Sequence, residues 1–495
     1  MSKTFRAWKI DQPLFLPPLV GDFVDEEHVA RFVLALVRDE IDLAKITGTY
    51  GSERGQPPFD PVMMTTLLLY AFTQGIYSSR RIAKACRERV DFMSIVALDP
   101  PDFRTISEFR KRHLKALSDL FVQVLQLCEQ ARLVKLGHVA LDGSKVKANA
   151  SKHKAMSYER MEKRAAELEA EVAKWLAAAE AADAAEDKLH GADKTGEEMP
   201  KRVADKKKRA EVIRAAKAEL EAEAKAAAEA KAQAAAEEEA KRQAEGRKKP
   251  GPKAAPPSCD PDPKAQKNFT DPESRIMKSK DGFVQAYNGQ IAVDAQAQII
   301  VAQDVTQETI DKHQLVPMTD AIKANLGQKP EQLSADAGYC SEANLAALGE
   351  RGIDAYIATG RAKDAATGAE TAASSATVPD AVAASTSDAI VSATAAPEGA
   401  EVDGVASQGG PAPAPTRVAA MREKIKAGGH DSPYRLRKQL PEPVFGQIKQ
   451  ARGFRQFLLR GIDNVRAEWS LVCTAHNLLK LAQGRSASAA SPAPA

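Results

Sequence analysis

Three short stretches far apart in the chain each offer one carboxylate in a setting suited to chemistry. They are His138-Val-Ala-Leu-Asp142-Gly143, Leu333-Ser-Ala-Asp336-Ala-Gly338 and Pro441-Glu442-Pro-Val-Phe-Gly-Gln-Ile-Lys449. Each acid borders a strand or helix edge, beside a tight turn or basic residues. Carboxylates so placed hold divalent cations against phosphate, which is the chemistry of cutting and joining nucleic acid. A single strand-end aspartate is commonly a cap or a turn residue, so the reading rests on the three together.

The elements that must position these acids can be read from periodicity. His138 to Leu141 forms a short apolar strand that closes at Asp142-Gly143, followed by polar and apolar alternation from Ser144 to Asn149. Gln332 to Ala335 reads as a strand, Ser341 opens a helix through Leu345 and Leu348, and Ile353 to Ile357 returns as a strand. That βαβ unit puts Asp336 at a carboxyl strand end, where open α/β sheets place their ligands. Gly289 to Asp294 and Gln298 to Val305 read as an antiparallel hairpin completing the sheet. Glu442 lies between two prolines, and proline is tolerated at a first helical position, so Glu442 starts a helix with Lys449 two turns on along nearly the same face. His138 and Asp142, four apart on one strand face, lie about 13 Å from each other and do not suit a shared metal; His313 and His476 read as packing or hydrogen-bonding residues, because metal-activated water needs no histidine base.

Around this core the chain is largely helical. From about Glu26 to Leu133 apolar residues recur at helical spacing, and Ser79–Arg89 and Thr105–His113 form two basic helices around the break Asp99-Pro-Pro-Asp102, like a helix-turn-helix. There Arg80, Arg81, Lys84, Arg110, Lys111 and Arg112 are candidates for phosphate contact; the plainer alternative is a solvated helix face. From Met156 to Gly246 the chain is dominated by Ala, Glu, Lys and Arg, with an interruption near Leu189, which predicts a long helical hairpin. Its Ala-rich seam is a poor basis for a coiled-coil module. The Ala/Ser/Thr/Gly/Pro stretch from about 365 to 415 offers too little apolar surface to offset ordering entropy.

Composition sets the outer limits. With 495 residues the chain is long enough for more than one domain. Its 70 basic and 67 acidic residues leave a net charge of +3, so local clusters carry any argument about partners. Five scattered cysteines without Cys-x-x-Cys spacing disfavour a disulfide framework or zinc knuckle. The first residues lack a secretory apolar core, and Val62–Phe72 is too short to span a bilayer, so a cytoplasmic protein without a membrane partner is expected.

The motifs Asp142-Gly-Ser-Lys-Val-Lys-Ala-Asn-Ala-Ser151, Ala335-Asp-Ala-Gly-Tyr339, and Tyr434-Arg-Leu-Arg437 followed by Glu442 to Lys449 resemble those of bacterial insertion-sequence DDE transposases of the ribonuclease-H-like class, especially the insertion-sequence eleven-eighty-two group. The resemblance extends over most of the chain, including the basic N-terminal region and the Glu468-Trp-Ser-Leu helix. It departs at Pro441, where a β-branched residue is usual, and in the long Ala/Ser-rich approach to Glu442. It implies an α/β fold with large all-α parts: a ribonuclease-H-like mixed sheet, a helical N-terminal DNA-binding domain and a helical hairpin insertion. The expected division is 1–133 for the N-terminal domain, 134–155, 265–364 and 419–483 for the catalytic core, 156–264 for hairpin and basic linker, 365–418 for a disordered insertion and 484–495 for a disordered tail. It further implies Asp142, Asp336 and Glu442 as catalytic ligands of two Mg²⁺ ions, with Mn²⁺ as a substitute. Tyr434, Arg437 and Lys449 would position double-stranded element-end and target DNA, with Lys145 and Lys147 beside them. A homodimer on DNA, associated with the bacterial nucleoid when bound, follows from the same likeness. The expected activity is metal-dependent cleavage and strand transfer; the alternatives are a nuclease that does not rejoin ends, or a DNA-binding remnant or regulator without catalysis.

Overall fold

The computed structural model describes residues 19–51, 57–151, 155–190, 201–244, 258–279, 282–359 and 416–490, without the side chains of 175–190, 201–204, 241 and 487–490. The N-terminal region is helical: α1 (Val29–Asp39), α2 (Ala44–Thr47), α3 (Pro61–Thr73), α4 (Ser79–Glu88), α5 (Val90–Ile95), α6 (Phe103–Arg112) and α7 (Leu114–Gln130). Asp60 caps α3 by accepting from the Val62 N–H at 2.6 Å, and Pro61 occupies a first-turn position where no N–H is missed. The apolar run behind this cap is buried from Met64 to Thr73, so α3 is a core helix. No described helix is long and apolar enough to cross a membrane. Between the two basic helices the short α5 comes before the expected break at Asp99–Asp102.

Among the described residues eight strands follow: β1 (His138–Lys147), β2 (Ala155–Ser157), β3 (Gln266–Asn268), β4 (Arg275–Ser279), β5 (Gly282–Asp294), β6 (Ile300–Thr306), β7 (Gln332–Ala335) and β8 (Asp354–Ile357). Six form one open mixed sheet in the order β4-β5-β1-β7-β8, with β6 also paired to β5. β5 runs antiparallel to β1, β4 and β6, whereas β7 and β8 run parallel to β1 and to each other. The expected hairpin and βαβ unit are both present, the latter through α11 (Glu342–Glu350); α10 (Leu315–Leu326) precedes β7. One expectation needs correction: Asp142-Gly143 does not close the first strand, which continues to Lys147 by pairing with Ala286 to Asn288 of β5.

α8 (Tyr158–His190) and α9 (Lys201–Ala244) form the expected long helices, rooted on the two-stranded β2–β3 ribbon. The basic linker 246–253 lies outside the described residues, as does nearly all of the 365–418 stretch. After it come α12 (Arg417–Gly428), α13 (Leu436–Gln439), α14 (Pro441–Gly446) and α15 (Ile462–Ala490). α15 carries helix past residue 484, into the stretch expected to be a disordered tail. α15 packs on β6 as well as on α7 and α3, so one apolar core runs from Ala30 to Leu481 through helical region and sheet alike.

Candidate active site

The sheet itself brings two of the three acids together. β1 and β7 are parallel, with Ala140 opposite Ser334. Asp142 follows two residues later within β1 and Asp336 comes directly after the end of β7, near enough for its charge to act on Asp142. Asp336 caps the turn Ala337–Tyr339, its Oδ1 accepting from the Gly338 N–H at 2.8 Å. Asp142 accepts from the Gly143 N–H at 2.9 Å. Burial pushes the Asp142 carboxyl up to about 7, with the like charges of Asp336 and Asp311 adding to it, against the opposing pulls of the Gly143 N–H and Arg437.

The third acid arrives on a different element. α13 and α14 pack against β1, and α13 also against β7, which lays this helical segment beside the two aspartates. Pro441 sits in the first turn of α14, where its missing N–H costs nothing, so the departure at this position is absorbed by the helix start. Glu442 follows it and is exposed. A single π-helical turn, Gln447–Ala451, then follows and itself contains Lys449. Lys449 reaches β1, donating to Ser144 Oγ at 2.6 Å and to the Lys145 carbonyl at 2.8 Å. Arg437 lies 5.8 Å from the Tyr434 ring and acts electrostatically on Asp142.

A groove of about 770 Å³ opens along the end of β1 beyond Asp142, lined in part by Gly143, Lys145, Lys147, Lys278, Lys449 and Arg455. Lys278 and Arg455 escape a sequence reading because β4 and the loop after α14 only meet β1 in the folded chain. Of the basic residues expected on the N-terminal helices, Arg80, Arg81, Lys84 and Lys111 are exposed. Arg112, also exposed, donates to the Thr49 carbonyl at 2.9 Å and stacks over Tyr50. Arg110 does not belong with them: it is buried and donates to the Tyr77 carbonyl at 3.1 Å. Its apolar neighbours Ile106 and Phe109 draw that face of α6 inward.

The histidines take the structural roles expected. His138 is buried against Ser334 Oγ at 2.9 Å. His476 meets the Gln298 carbonyl at 2.9 Å, and burial lowers it to about 3, leaving it neutral. His313 is exposed and paired with Glu308.

A model of the family described as Transposase domain (DUF772) matches residues 19–112, and one described as Transposase DDE domain matches residues 413–482. The chain carries a transposase-related domain architecture. The second match contains Tyr434, Arg437, Glu442 and Lys449, whereas Asp142 and Asp336 lie between the two matched stretches. No curated protein and no solved structure matches the chain. These transposase-type domains support a role acting on DNA.

Among the described residues no three His, Cys, Asp or Glu side chains converge as a ready metal cage. The donors are nevertheless of the kind Mg²⁺ takes: hard carboxylates, of which Asp142 is raised by burial and further by the nearby charges of Asp336 and Asp311. Mg²⁺ is ordinarily held by one or two carboxylates, with water and substrate phosphate completing the shell.

Proposed function

We propose that this chain is a DDE transposase of the insertion-sequence eleven-eighty-two type, which binds the ends of its element and carries out Mg²⁺-dependent DNA cleavage and strand transfer. What supports this reading is that the parallel neighbours β1 and β7 carry Asp142 and lead into Asp336, whose charge acts on Asp142, while the helical segment with Arg437 and Glu442 packs on β1 and Lys449 bonds to it. The sheet, with β5 and its antiparallel partners β4 and β6 on one side of β1 and the parallel strands β7 and β8 on the other, supports a ribonuclease-H-like core.

Asp142 and Asp336 would hold the cations, with Glu442 completing the set when DNA is seated. Bound Mg²⁺ would stabilise charge developing on phosphate and favour the ionised form of the attacking water or 3′-hydroxyl. The protein's own contribution is orientation. Lys145, Lys147, Lys278 and Arg455 line a groove that fits a phosphodiester backbone, and Arg437 and Lys449 fix the helix bearing Glu442 beside β1. Arg80, Arg81, Lys84 and Lys111 offer a separate exposed surface for duplex phosphates. Joining two element ends to one target calls for a homodimer on DNA.

The test is cleavage of labelled element-end DNA in Mg²⁺ and in Mn²⁺. Asp142→Asn, Asp336→Asn and Glu442→Gln are each expected to lower cleavage at least a hundredfold while end binding without metal persists. Retained cleavage in Asp142→Asn overturns the assignment. Nicked products without joined ones would mark a nuclease, and binding without cleavage by the wild type a catalytically silent DNA-binding protein.

A further inference from the structure

On the face of β1 opposite Asp142, a buried polar network ties together the two stretches of backbone that carry the aspartates. Alternation along β1 and β5 turns Asp142, Ser144 and Gly289 to one side, and Gly143, Lys145, Asn288 and Gln290 to the other. On the first side Trp469 of α15 presses on Gly289 and its indole N–H donates to the Gln290 carbonyl at 3.2 Å, which fixes β5 in place. On the second side stands Asp311, from the loop after β6. Its Oδ1 accepts from Asn288 Nδ2 at 2.5 Å, from Gln290 Nε2 at 2.8 Å and from Lys145 Nζ at 3.4 Å. The same Gln290 accepts, through Oε1, the hydroxyl of Tyr339, the last residue of the turn capped by Asp336.

Gln290, Asn288 and Tyr339 are each fully buried. The Gln290 amide has its orientation set at both ends, since the Tyr339 hydroxyl requires an acceptor there and Asp311 requires a donor. Asp311 also lies against Gly143, next to Asp142, and against Gly338, two residues after Asp336. A side chain that touches both neighbourhoods, and is held by the fully buried amides of Asn288 and Gln290, sets the spacing of what it joins.

We infer that Asp311, acting with Gln290 and Tyr339, is a positioning residue that fixes the separation of Asp142 and Asp336. This rests on the proposal that those two acids hold the cation. The polar residues sit in a strand whose neighbours Ile291, Ala292 and Val293 are buried and apolar, where unreplaced polar groups cost stability. Groups supporting metal ligands from behind typically change metal affinity by about 10–100-fold when removed.

The test is Mn²⁺ titration of the full chain by calorimetry, without DNA, beside cleavage kinetics. Asp311→Ala is expected to weaken Mn²⁺ binding about tenfold or more and to lower kcat with little change in KM for DNA. Asp311→Asn, which keeps an oxygen acceptor in the same place, is expected to recover most of both. Should Asp311→Ala fail to fold, Tyr339→Phe, which removes only the hydroxyl, is expected to show the same loss in smaller measure. Mn²⁺ affinity within twofold of wild type in Asp311→Ala, or in Tyr339→Phe where that variant stands in, with Asp142→Asn abolishing binding, overturns the positioning role and leaves the two-aspartate site standing. A wild-type chain that binds no Mn²⁺, with or without DNA, overturns both.

Discussion

At the scale of single residues, the space around Gly143 explains why an acid-glycine pair stands in the middle of a strand. A Cβ there would lie 2.3 Å from Gln290 Nε2 and 2.7 Å from Asp311 Oδ1. Glycine at this position serves close approach, and β1 passes through it without turning. Gly143→Ala is therefore expected to destabilise the fold by about 1–3 kcal/mol, as overpacking does, and to weaken Mn²⁺ binding by displacing the Asp311 carboxylate. Chemical denaturation and calorimetry check the two effects, and an alanine variant with wild-type stability and affinity would contradict this account. The same glycine shows how sequence can mislead. Asp-Gly after an apolar run looks like a turn, so Asp142 was legible as a candidate acid while its place within the strand was not. Asp311 was not legible at all: Gln307-Glu-Thr-Ile-Asp311 has the look of an ordinary polar loop, and only the fold carries it to Gly143 and Gly338.

At the scale of elements, α15 shows how a polar residue inside an apolar helix can be structural. Glu468 is almost fully buried, accepting from the Leu458 N–H at 3.0 Å and the Leu459 N–H at 2.9 Å, so it holds the loop that follows the π turn against the helix. Burial outweighs these two donors and the Arg110 charge and raises the carboxyl to about 7, against an ordinary 4.5. A carboxyl raised in the folded state binds its proton more tightly folded than unfolded. Its contribution to stability is complete below about pH 4.5 and is lost as pH climbs toward 7. Relative to Glu468→Gln, the wild type is expected to lose roughly 3 kcal/mol across that interval and to level off above it. Urea melts of both proteins at several pH values measure the difference, and a flat difference would exclude a raised Glu468. The helix itself was legible from Ala467 to Lys480, because its apolar residues recur at helical spacing, and so were the β5–β6 hairpin and the β7–α11–β8 unit. β4 was not, since Arg275 to Ser279 is largely polar and becomes a strand by pairing with β5. α12 was hidden by the low-complexity sequence that leads into it.

At the scale of the whole molecule, packing divides the chain differently from composition. The change at about residue 133, from helical to strand pattern, suggests a domain boundary, yet α3 and α7 pack against α15 and share its core. Arg110 and Glu468 act on one another across that junction, which joins the N-terminal helices to the sheet. The hairpin is the reverse case. α8 and α9 bury a separate seam of Met161, Leu168, Ile213 and Leu220, and are clamped by Lys217–Glu162 and Arg214–Glu169 pairs at 2.9 and 2.7 Å. Their link to the rest is the β2–β3 ribbon, where Ser157 pairs with Gln266, and ion pairs from Lys267 and Arg275 to Glu223 at 3.0 and 3.2 Å. The Arg275 pair is partly exposed and contributes little, and the buried Lys267 pairs with Glu219 and Glu223 of the hairpin itself. Replacing residues 158–265 by an Asn-Gly turn, which suits a two-residue antiparallel connection, is therefore expected to leave the unfolding midpoint of the remaining chain within a few degrees of wild type. Calorimetric melting of the shortened protein measures this. A large fall would mean that the hairpin supports the sheet. A preserved midpoint with preserved Mn²⁺ affinity would locate the cation site wholly within the core that α15 closes.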